Sequence, residues 1–179
     1  KNISEILDKY SDIILVGDSL GSVLYSYNTT KNVTLNMMIE HSKSVRQGVK
    51  KSLMVVDMPY NSYNSKSEAL KNAKKIIKYS KADAVKLEGG KKILSIIKHL
   101  RKNKINVMGH LGILPQSQIG KFRFKGKTTF ERKRLLNDAL LLQGSGVFSI
   151  VLECIETKLA KEITKNLKIP TIGIGSSVN

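Results

Sequence analysis

Six short apolar runs, each ending at a polar, acidic or glycine-bounded position, constrain the fold of this chain more than any other feature. They are IILVGD (13–18), LMVVDM (53–58), ADAVKLE (82–88), INVMGH (105–110), VFSIVLE (147–153) and PTIGIG (170–175). The runs are β-branched and apolar almost throughout, which is typical of strands buried on both faces of a parallel sheet. The pattern predicts strands with polar side chains at their carboxyl ends.

Segments with helical periodicity separate these strands. Apolar residues spaced i, i+3, i+4, i+7 predict helices over 35–49, 68–79, 91–102, 131–142 and 157–167. Another helix is expected in NISEILDKY near the start, and Ser67 followed by Glu68 suits the beginning of the 68–79 helix. Strands alternating with helices of this length indicate an α/β fold with a parallel sheet and right-handed crossovers.

A (βα)₈ TIM-type barrel fits this alternation best. An open, doubly wound sheet is the alternative, but no GxGxxG motif follows the first strand, and every strand end carries a candidate functional group. The 179 residues predict one domain over 1–179, whereas a closed barrel needs about 250 residues. We therefore expect an incomplete barrel, truncated at both ends, with about six of the eight strands.

Composition narrows the function. The net charge of +17 suggests nucleic-acid binding, yet only five of the 31 basic residues are Arg, and aromatic residues make up 6% of the chain. The lysines are spread over the predicted helices, which favours a solvated surface without a nucleic-acid partner. No apolar run approaches the roughly 20 residues that span a bilayer, so no membrane association is expected. The single cysteine, Cys154, cannot form an internal disulfide and fits a cytoplasmic location.

The candidate functional residues lie at the strand ends. A barrel would bring them to one mouth, where the active sites of such barrels lie. Lys86 and Glu88 are two positions apart on one strand and therefore face the same way. The set consists of Asp18, Asp57, Lys86, Glu88, His110 and Glu153.

Carboxylates that converge at the mouth of a barrel repel one another, and their negative charge must be compensated. Two unit charges 4 Å apart repel by roughly 4 kcal/mol at an effective dielectric constant of 20. Either protons are retained or a cation lies between the groups. Oxygen ligands with spare positions suit Mg²⁺. Zinc is less favoured because no Cys/His pair has ligand spacing.

Each residue also has a structural interpretation. Asp18 could cap the following helix, and Asp57 could belong to the turn that Pro59 introduces. Lys86 could be buried with Glu88 as its ion-pair partner. His110 could be a core imidazole, and Glu153 could be a buried acid bonded to a neighbouring loop. It is the joint placement of these residues at one end of one sheet that favours a functional site.

Eight motifs, in order, resemble those of the ketopantoate hydroxymethyltransferase (3-methyl-2-oxobutanoate hydroxymethyltransferase) family of pantothenate biosynthesis, over essentially the whole chain. They are VGDSLG (16–21), VTLNMMIEHSKSVRQG (33–48), VVDMPY (55–60), ADAVKLEGG (82–90), VMGHLGILPQS (107–117), KGKT (125–128), IVLEC (150–154) and IPTIGIG (169–175). The resemblance implies a (βα)₈ barrel in a large homo-oligomer, for which a decamer is expected. It also implies transfer of a hydroxymethyl group from 5,10-methylenetetrahydrofolate to 3-methyl-2-oxobutanoate, giving 2-dehydropantoate.

The resemblance also implies a metal centre. Asp18 and Asp57 correspond to direct Mg²⁺ ligands, with Asp57 also at the substrate, and Glu88 corresponds to an outer ligand acting through water. A 2-oxo acid can chelate Mg²⁺ through its carboxylate and carbonyl oxygens. The metal then stabilises the charge of an enolate.

The remaining site residues carry over in the same way. Ser19 and Lys86 correspond to contacts with the oxo acid, Glu153 to the acid/base and His110 to a nearby site residue. A carboxylate in an apolar setting, such as that at position 153, can remove the C3 proton. An ammonium group can add positive charge where the enolate oxygen forms.

The chain departs from the family pattern at a few positions. Leu114 stands where the family usually has Thr, and Asn61 stands where it usually has Gly. After GIG the family usually continues with AG and an Asp-rich loop, whereas this chain reads Ser176-Ser177-Val178-Asn179. None of these departures affects the expected metal ligands.

Two other functions are compatible with parts of the sequence. A related Mg²⁺-dependent barrel that cleaves or rearranges C–C or P–C bonds of 2-oxo acids would also use acids at strand ends. A basic, non-catalytic binding module would instead bind nucleic acid with a steep dependence on salt.

Overall fold

The computed structural model describes residues 1–117 and 123–176, so residues 177–179 of the divergent end lie outside it. Strands and helices alternate along the chain. The strands are β1 (Ile13–Val16), β2 (Leu53–Asp57), β3 (Ala84–Glu88), β4 (Val107–Gly112), β5 (Ser149–Glu153) and β6 (Thr171–Ile174). The helices are α1 (Asn2–Leu7), α2 (Leu20–Tyr25), α3 (Leu35–Arg46), α4 (Lys66–Ser80), α5 (Leu94–Lys102), α6 (Thr129–Gly144) and α7 (Thr157–Asn166).

The strands follow one another across the sheet in chain order, from β1 to β6. The pairs β1–β2, β2–β3, β4–β5 and β5–β6 are all parallel. Sequential parallel strands joined by helices are the (βα) repeat of a TIM-type barrel. The predicted fold class and six strands are therefore confirmed.

Burial explains why the inner strands are largely apolar, whereas β1 and β6 are partly exposed. Every residue of β3 is buried, and so are the last four of β2 and the first four of β5. Val55, Val85 and Ile150 have no accessible surface. Strands buried in this way have no polar face, so they read as continuous apolar runs.

The chain divides into two compact units. The first consists of Lys1–Lys86 and Asn103–Asn106, and the second of Leu87–Lys102 and Val107–Asn179. The boundary therefore falls within β3, between Lys86 and Leu87. The single domain expected over 1–179 stays a prediction.

Helix starts follow capping rules. Thr34 and Thr128 accept hydrogen bonds through their hydroxyls from the main-chain N–H groups three residues on, at the starts of α3 and α6. The start expected at Ser67 is wrong, because the cap of α4 is Ser65, whose Oγ accepts from the N–H of Glu68 at 3.2 Å. The Glu68 carboxylate accepts in turn from the N–H of Asn64 at 2.9 Å, which favours the earlier start.

Helix α2 was not predicted from the sequence. It has only six residues, too few for an apolar period to be recognised, and it ends at Tyr25, where the capping residue Ser26 has a left-handed φ of 56°. Among the helices of the described residues, none is long and apolar enough to cross a membrane.

A buried carboxylate holds the end of α1 to the turn before β2. Both oxygens of Asp8 accept main-chain hydrogen bonds, from the N–H groups of Lys50, Lys51 and Ser52 at 2.8–3.1 Å. The bond from Ser52 does most to hold the pKa of Asp8 well below its ordinary value, and it outweighs the opposing effect of burial.

We predict that this contact makes stability depend on acid. Because the pKa of Asp8 is lower in the folded than in the unfolded protein, its contribution is complete above the unfolded value, about 3.9. It is lost as the pH falls further. Asp8→Asn should lower the free energy of unfolding at pH 7 and flatten its decline below about pH 4. Urea unfolding across this range measures both effects.

Asp12→Asn is the matched control, because Asp12 is exposed. It should unfold like the parent at every pH. Identical pH dependence of the Asp8 variant and the parent would contradict the role given to this carboxylate.

Candidate active site

A buried ion pair joins β2 and β3 in the first unit. Asp57 and Lys86 are register partners on these parallel strands, so their side chains lie side by side on one face. Lys86 Nζ lies 2.8 Å from Asp57 Oδ1, and each side chain is only 4% exposed. The structure thus pairs the unusual lysine of an apolar strand with the acid at the end of its neighbour.

Asp18 lies beside this pair. It lies two residues after the end of β1, is 3% exposed, and donates its main-chain N–H to Asp57 Oδ2 at 3.0 Å. A Cβ at Gly17 would lie 3.1 Å from Ser19 Oγ and 3.6 Å from Asp57 Oδ2, so both of these side chains lie close to Gly17. Ser19 is exposed, and its hydroxyl makes no capping hydrogen bond to α2. The first unit therefore brings together four of the predicted site residues.

The donor set of this cluster fits a hard divalent cation. Asp18 and Asp57 are both buried carboxylates, and the ammonium of Lys86 pairs with that of Asp57. Asp57 Oδ1 is buried and accepts no well-aligned hydrogen bond, although the ammonium lies 2.8 Å away. Mg²⁺ commonly uses one or two carboxylates together with water and substrate oxygens. Over residues 1–117 and 123–176, no group of three or more His, Cys, Asp or Glu side chains forms a metal cluster.

A row of three titratable groups lies in the second unit. His110, in the middle of β4, has its Nε2 atom 3.2 Å from Glu153 Oε2 and its Nδ1 atom 3.8 Å from Glu88 Oε1. The side chains of Glu88 and His110 are 2% and 3% exposed, whereas that of Glu153 is 21% exposed. Glu153 therefore has the best access to solvent in this row.

Proton counting restricts what this row can do. A neutral imidazole carries a single N–H, so it donates to only one of two flanking carboxylates. A row in which both carboxylates are hydrogen-bonded holds one proton more.

Gln116 is a site residue that the sequence reasoning missed. It is 2% exposed, and its main-chain N–H donates to Glu88 Oε2 at 3.1 Å. The residue falls within the motif VMGHLGILPQS, which is the only signal that could have found it. A main-chain donor depends on the local turn, here a short 3₁₀ helix over Pro115–Ser117, and not on the residue type.

The backbone around Glu153 is closely held. Gly112 is the register partner of Glu153 and has a φ of 102°. A Cβ at Gly112 would lie 2.0 Å from the carbonyl oxygen of Glu153, so only glycine fits there. Ser176, where the family usually has Ala, is buried; its Oγ accepts from the N–H of Ile155 and donates to the carbonyl of Leu152, both at 2.8 Å.

Two further sequence features have a physical explanation. Asn61, which stands where the family usually has Gly, has a φ of 59°, and Asn tolerates this left-handed conformation better than most residues. Burial, followed by the charge of Glu153, raises the pKa of the Cys154 thiol. A raised pKa disfavours the reactive thiolate, which fits an inert cysteine.

The structure brings the predicted residues into two groups. Asp18, Ser19, Asp57 and Lys86 lie in the first unit, and Glu88, His110 and Glu153 lie in the second. The expectation that all of them share one mouth stays a prediction.

Comparison with solved structures shows the fold. The chain superposes on phosphonopyruvate hydrolase, solved in complex with oxalate and Mg²⁺, with a TM-score of 0.71 and 10% identity, over 96% of this chain and 62% of that one. It superposes on 2,3-dimethylmalate lyase, a member of the PEP mutase/isocitrate lyase superfamily, with a TM-score of 0.64 and 11% identity, over 94% and 61% of the two chains.

Comparison with sequences shows the family. Residues 2–179 match the family model of ketopantoate hydroxymethyltransferase. The 3-methyl-2-oxobutanoate hydroxymethyltransferase of Pelagibacter ubique is 68% identical over the whole chain, which spans 69% of that protein. Those of Heliobacterium modesticaldum and Rhizobium etli are 49% and 47% identical over 92% and 98% of this chain, which spans 61% and 65% of their lengths. The chain belongs to the ketopantoate hydroxymethyltransferase family of enzymes.

Proposed function

We propose that this protein transfers a hydroxymethyl group from 5,10-methylenetetrahydrofolate to 3-methyl-2-oxobutanoate in pantothenate biosynthesis. Family membership supports this reaction. The observation that carries it is the buried cluster of Asp18, Asp57 and Lys86 at the ends of neighbouring strands. A 2-oxo acid with its carboxylate and carbonyl oxygens complements such a set of charges.

The metal that we propose is Mg²⁺, held directly by Asp18 and Asp57. Both side chains are buried and supply the oxygen donors that Mg²⁺ prefers. When bound, Mg²⁺ would act as a Lewis acid that favours negative charge on the oxo acid. The family resemblance also implies that Glu88 binds the metal through a water molecule, and this role stays a prediction.

Lys86 and Ser19 are proposed to bind the oxo acid. The ammonium of Lys86 is held in place by Asp57, so it needs no reorganisation when negative charge develops on the 2-oxo oxygen. The exposed hydroxyl of Ser19 can donate to the carboxylate of the substrate.

Glu153 is proposed as the base. Its carboxylate takes the proton from C3 of the oxo acid, and C3 then forms a bond to the methylene carbon of the folate as one of the two C–N bonds of that carbon breaks. Water supplies the hydroxyl oxygen of the product as the second C–N bond breaks. Tetrahydrofolate leaves with a proton on each of the two freed nitrogens, one proton from C3 and one from water. The 21% exposure of the Glu153 side chain is compatible with access of the substrate.

We further propose, from the family resemblance, a cytoplasmic homo-oligomer, with a decamer as the expected form. The partners are small molecules, the oxo acid and the folate, with no nucleic acid and no membrane. The basic binding module is disfavoured by the family assignment.

A second candidate is a Mg²⁺-dependent lyase or mutase of 2-oxo acids. The fold likeness to phosphonopyruvate hydrolase and 2,3-dimethylmalate lyase favours it, because those proteins have the same fold. Sequence identities of 10% and 11% show a shared fold and nothing about the reaction. The 68% identity to a hydroxymethyltransferase therefore favours hydroxymethyl transfer as the function.

The folate requirement separates these two candidates. With 3-methyl-2-oxobutanoate and Mg²⁺, we expect 2-dehydropantoate only when 5,10-methylenetetrahydrofolate is present. Mass spectrometry of the reaction measures this product. Cleavage of an oxo acid without folate would contradict the transferase and support the lyase.

Asp57→Asn should remove the metal function. The amide keeps the shape of the carboxylate but loses the charge that attracts Mg²⁺, so we expect turnover to fall by about 100-fold or more. Calorimetric titration with Mg²⁺ should show weaker binding. Asp12→Asn, at an exposed acid, should match the parent in both measurements. Parent-like Mg²⁺ affinity of the Asp57 variant would refute the ligand assignment.

Lys86→Met should reduce stability as well as turnover. Removal of one partner from a buried ion pair leaves an unpaired charge and costs about 3–5 kcal/mol. The double variant Asp57→Leu with Lys86→Met should regain part of this loss, because no buried charge remains. Urea unfolding of the single and double variants tests this. A double variant less stable than both single variants would argue against the coupling.

A further inference from the structure

We propose that His110 is a positioning residue for Glu153, with Glu88 and the main chain of Gln116 fixing the imidazole. The inference deepens the proposed function, on which it rests, by saying how the base is aimed. The resemblance to the family implied only that His110 lies near the active site.

The first observation is the continuity of the row. The N–H of Gln116 holds Glu88 Oε2, Glu88 Oε1 faces His110 Nδ1, and His110 Nε2 faces Glu153 Oε2. The respective distances are 3.1, 3.8 and 3.2 Å. Both imidazole nitrogens therefore lie next to carboxylates. Such contacts are often long in the free enzyme and shorten when substrate binds.

The second observation is the gradient of burial along the row. Glu88 and His110 are almost inaccessible, whereas the carboxylate of Glu153 is 21% exposed. Of these three side chains, Glu153 is therefore the one placed to meet a substrate. His110 and Glu88 act through it, which makes them positioning residues.

The main chain of Glu153 is also fixed by hydrogen bonds. Its main chain is held on both sides, since its carbonyl accepts from the N–H of Ile113 at 2.9 Å and Ser176 bridges Leu152 and Ile155. The residue after it, Cys154, turns into the left-handed region with a φ of 49°. This frame sets the position of the Glu153 backbone, and His110 Nε2 lies 3.2 Å from Oε2 of its carboxylate.

The position of the imidazole is equally constrained. The carbonyl of His110 accepts from the N–H of Gly89 at 3.1 Å, which ties β4 to the residue directly after Glu88. A group on a central strand is held more precisely than one on a loop, and this precision is what aiming a base requires.

Two polar variants of His110 distinguish the roles of the two imidazole nitrogens. His110→Gln retains an amide donor near the position of Nε2, toward Glu153. His110→Asn retains one only near the position of Nδ1, toward Glu88. With Mg²⁺ present and no folate, exchange of the C3 proton of 3-methyl-2-oxobutanoate in deuterated water, followed by proton NMR, reports the action of Glu153 directly.

We expect His110→Asn to lower kcat for exchange by about 10–100-fold with little change in KM, and His110→Gln to recover most of the loss. His99→Gln is the control for a histidine outside the row and should behave like the parent. Urea unfolding of all variants verifies that they fold. Equal exchange by the Asn and Gln variants, both folded, would overturn the positioning role.

The design separates this inference from the proposed function. A parent protein that exchanges no C3 proton would contradict the function itself. A parent that exchanges, with an Asn variant that exchanges equally fast, would contradict only the role of His110. If either variant fails to fold, Glu88→Gln tests the same row, and retention of the parent exchange rate would overturn the proposal.

Discussion

Burial of charge is the constraint on which this structure depends. A charged side chain withdrawn from water must be paired or it destabilises the protein by several kcal/mol. Each unit meets this demand in its own way. In the first, the lysine of β3 faces the acid that ends β2, and in the second, an imidazole lies between two carboxylates. In the first unit the parallel register makes this pairing possible, because it sets Lys86 beside Asp57 on the neighbouring strand.

The two clusters have complementary chemistry. Asp18, Asp57 and Lys86 provide carboxylate oxygens and a fixed ammonium, which suit a divalent cation and an anionic 2-oxo acid. Glu153 provides an accessible carboxylate with the imidazole of His110 beside it, and such a carboxylate suits proton removal.

Most of the fold could be predicted because its signals are local. The six apolar runs became the six strands, with ends shifted by at most two residues. The long amphipathic helices also followed their periodicity. Two features were missed. Helix α2 has too few residues to show a period, and α4 is capped by Ser65 and not by Ser67, because Glu68 completes the earlier cap. The single domain over 1–179 and the shared mouth remain predictions.

The sequence by itself determined which residue types stand at the strand ends. The order of apolar and polar residues shows the two-residue period of strands and the 3.6-residue period of helices, and so locates the strands. Tertiary structure decided the partners: Lys86 with Asp57, Asp57 with the main chain of Asp18, and Glu88 with the main chain of Gln116. These contacts join residues 28–39 positions apart. Strand register and loop conformation set such distances, and neither is encoded in the identity of a single residue.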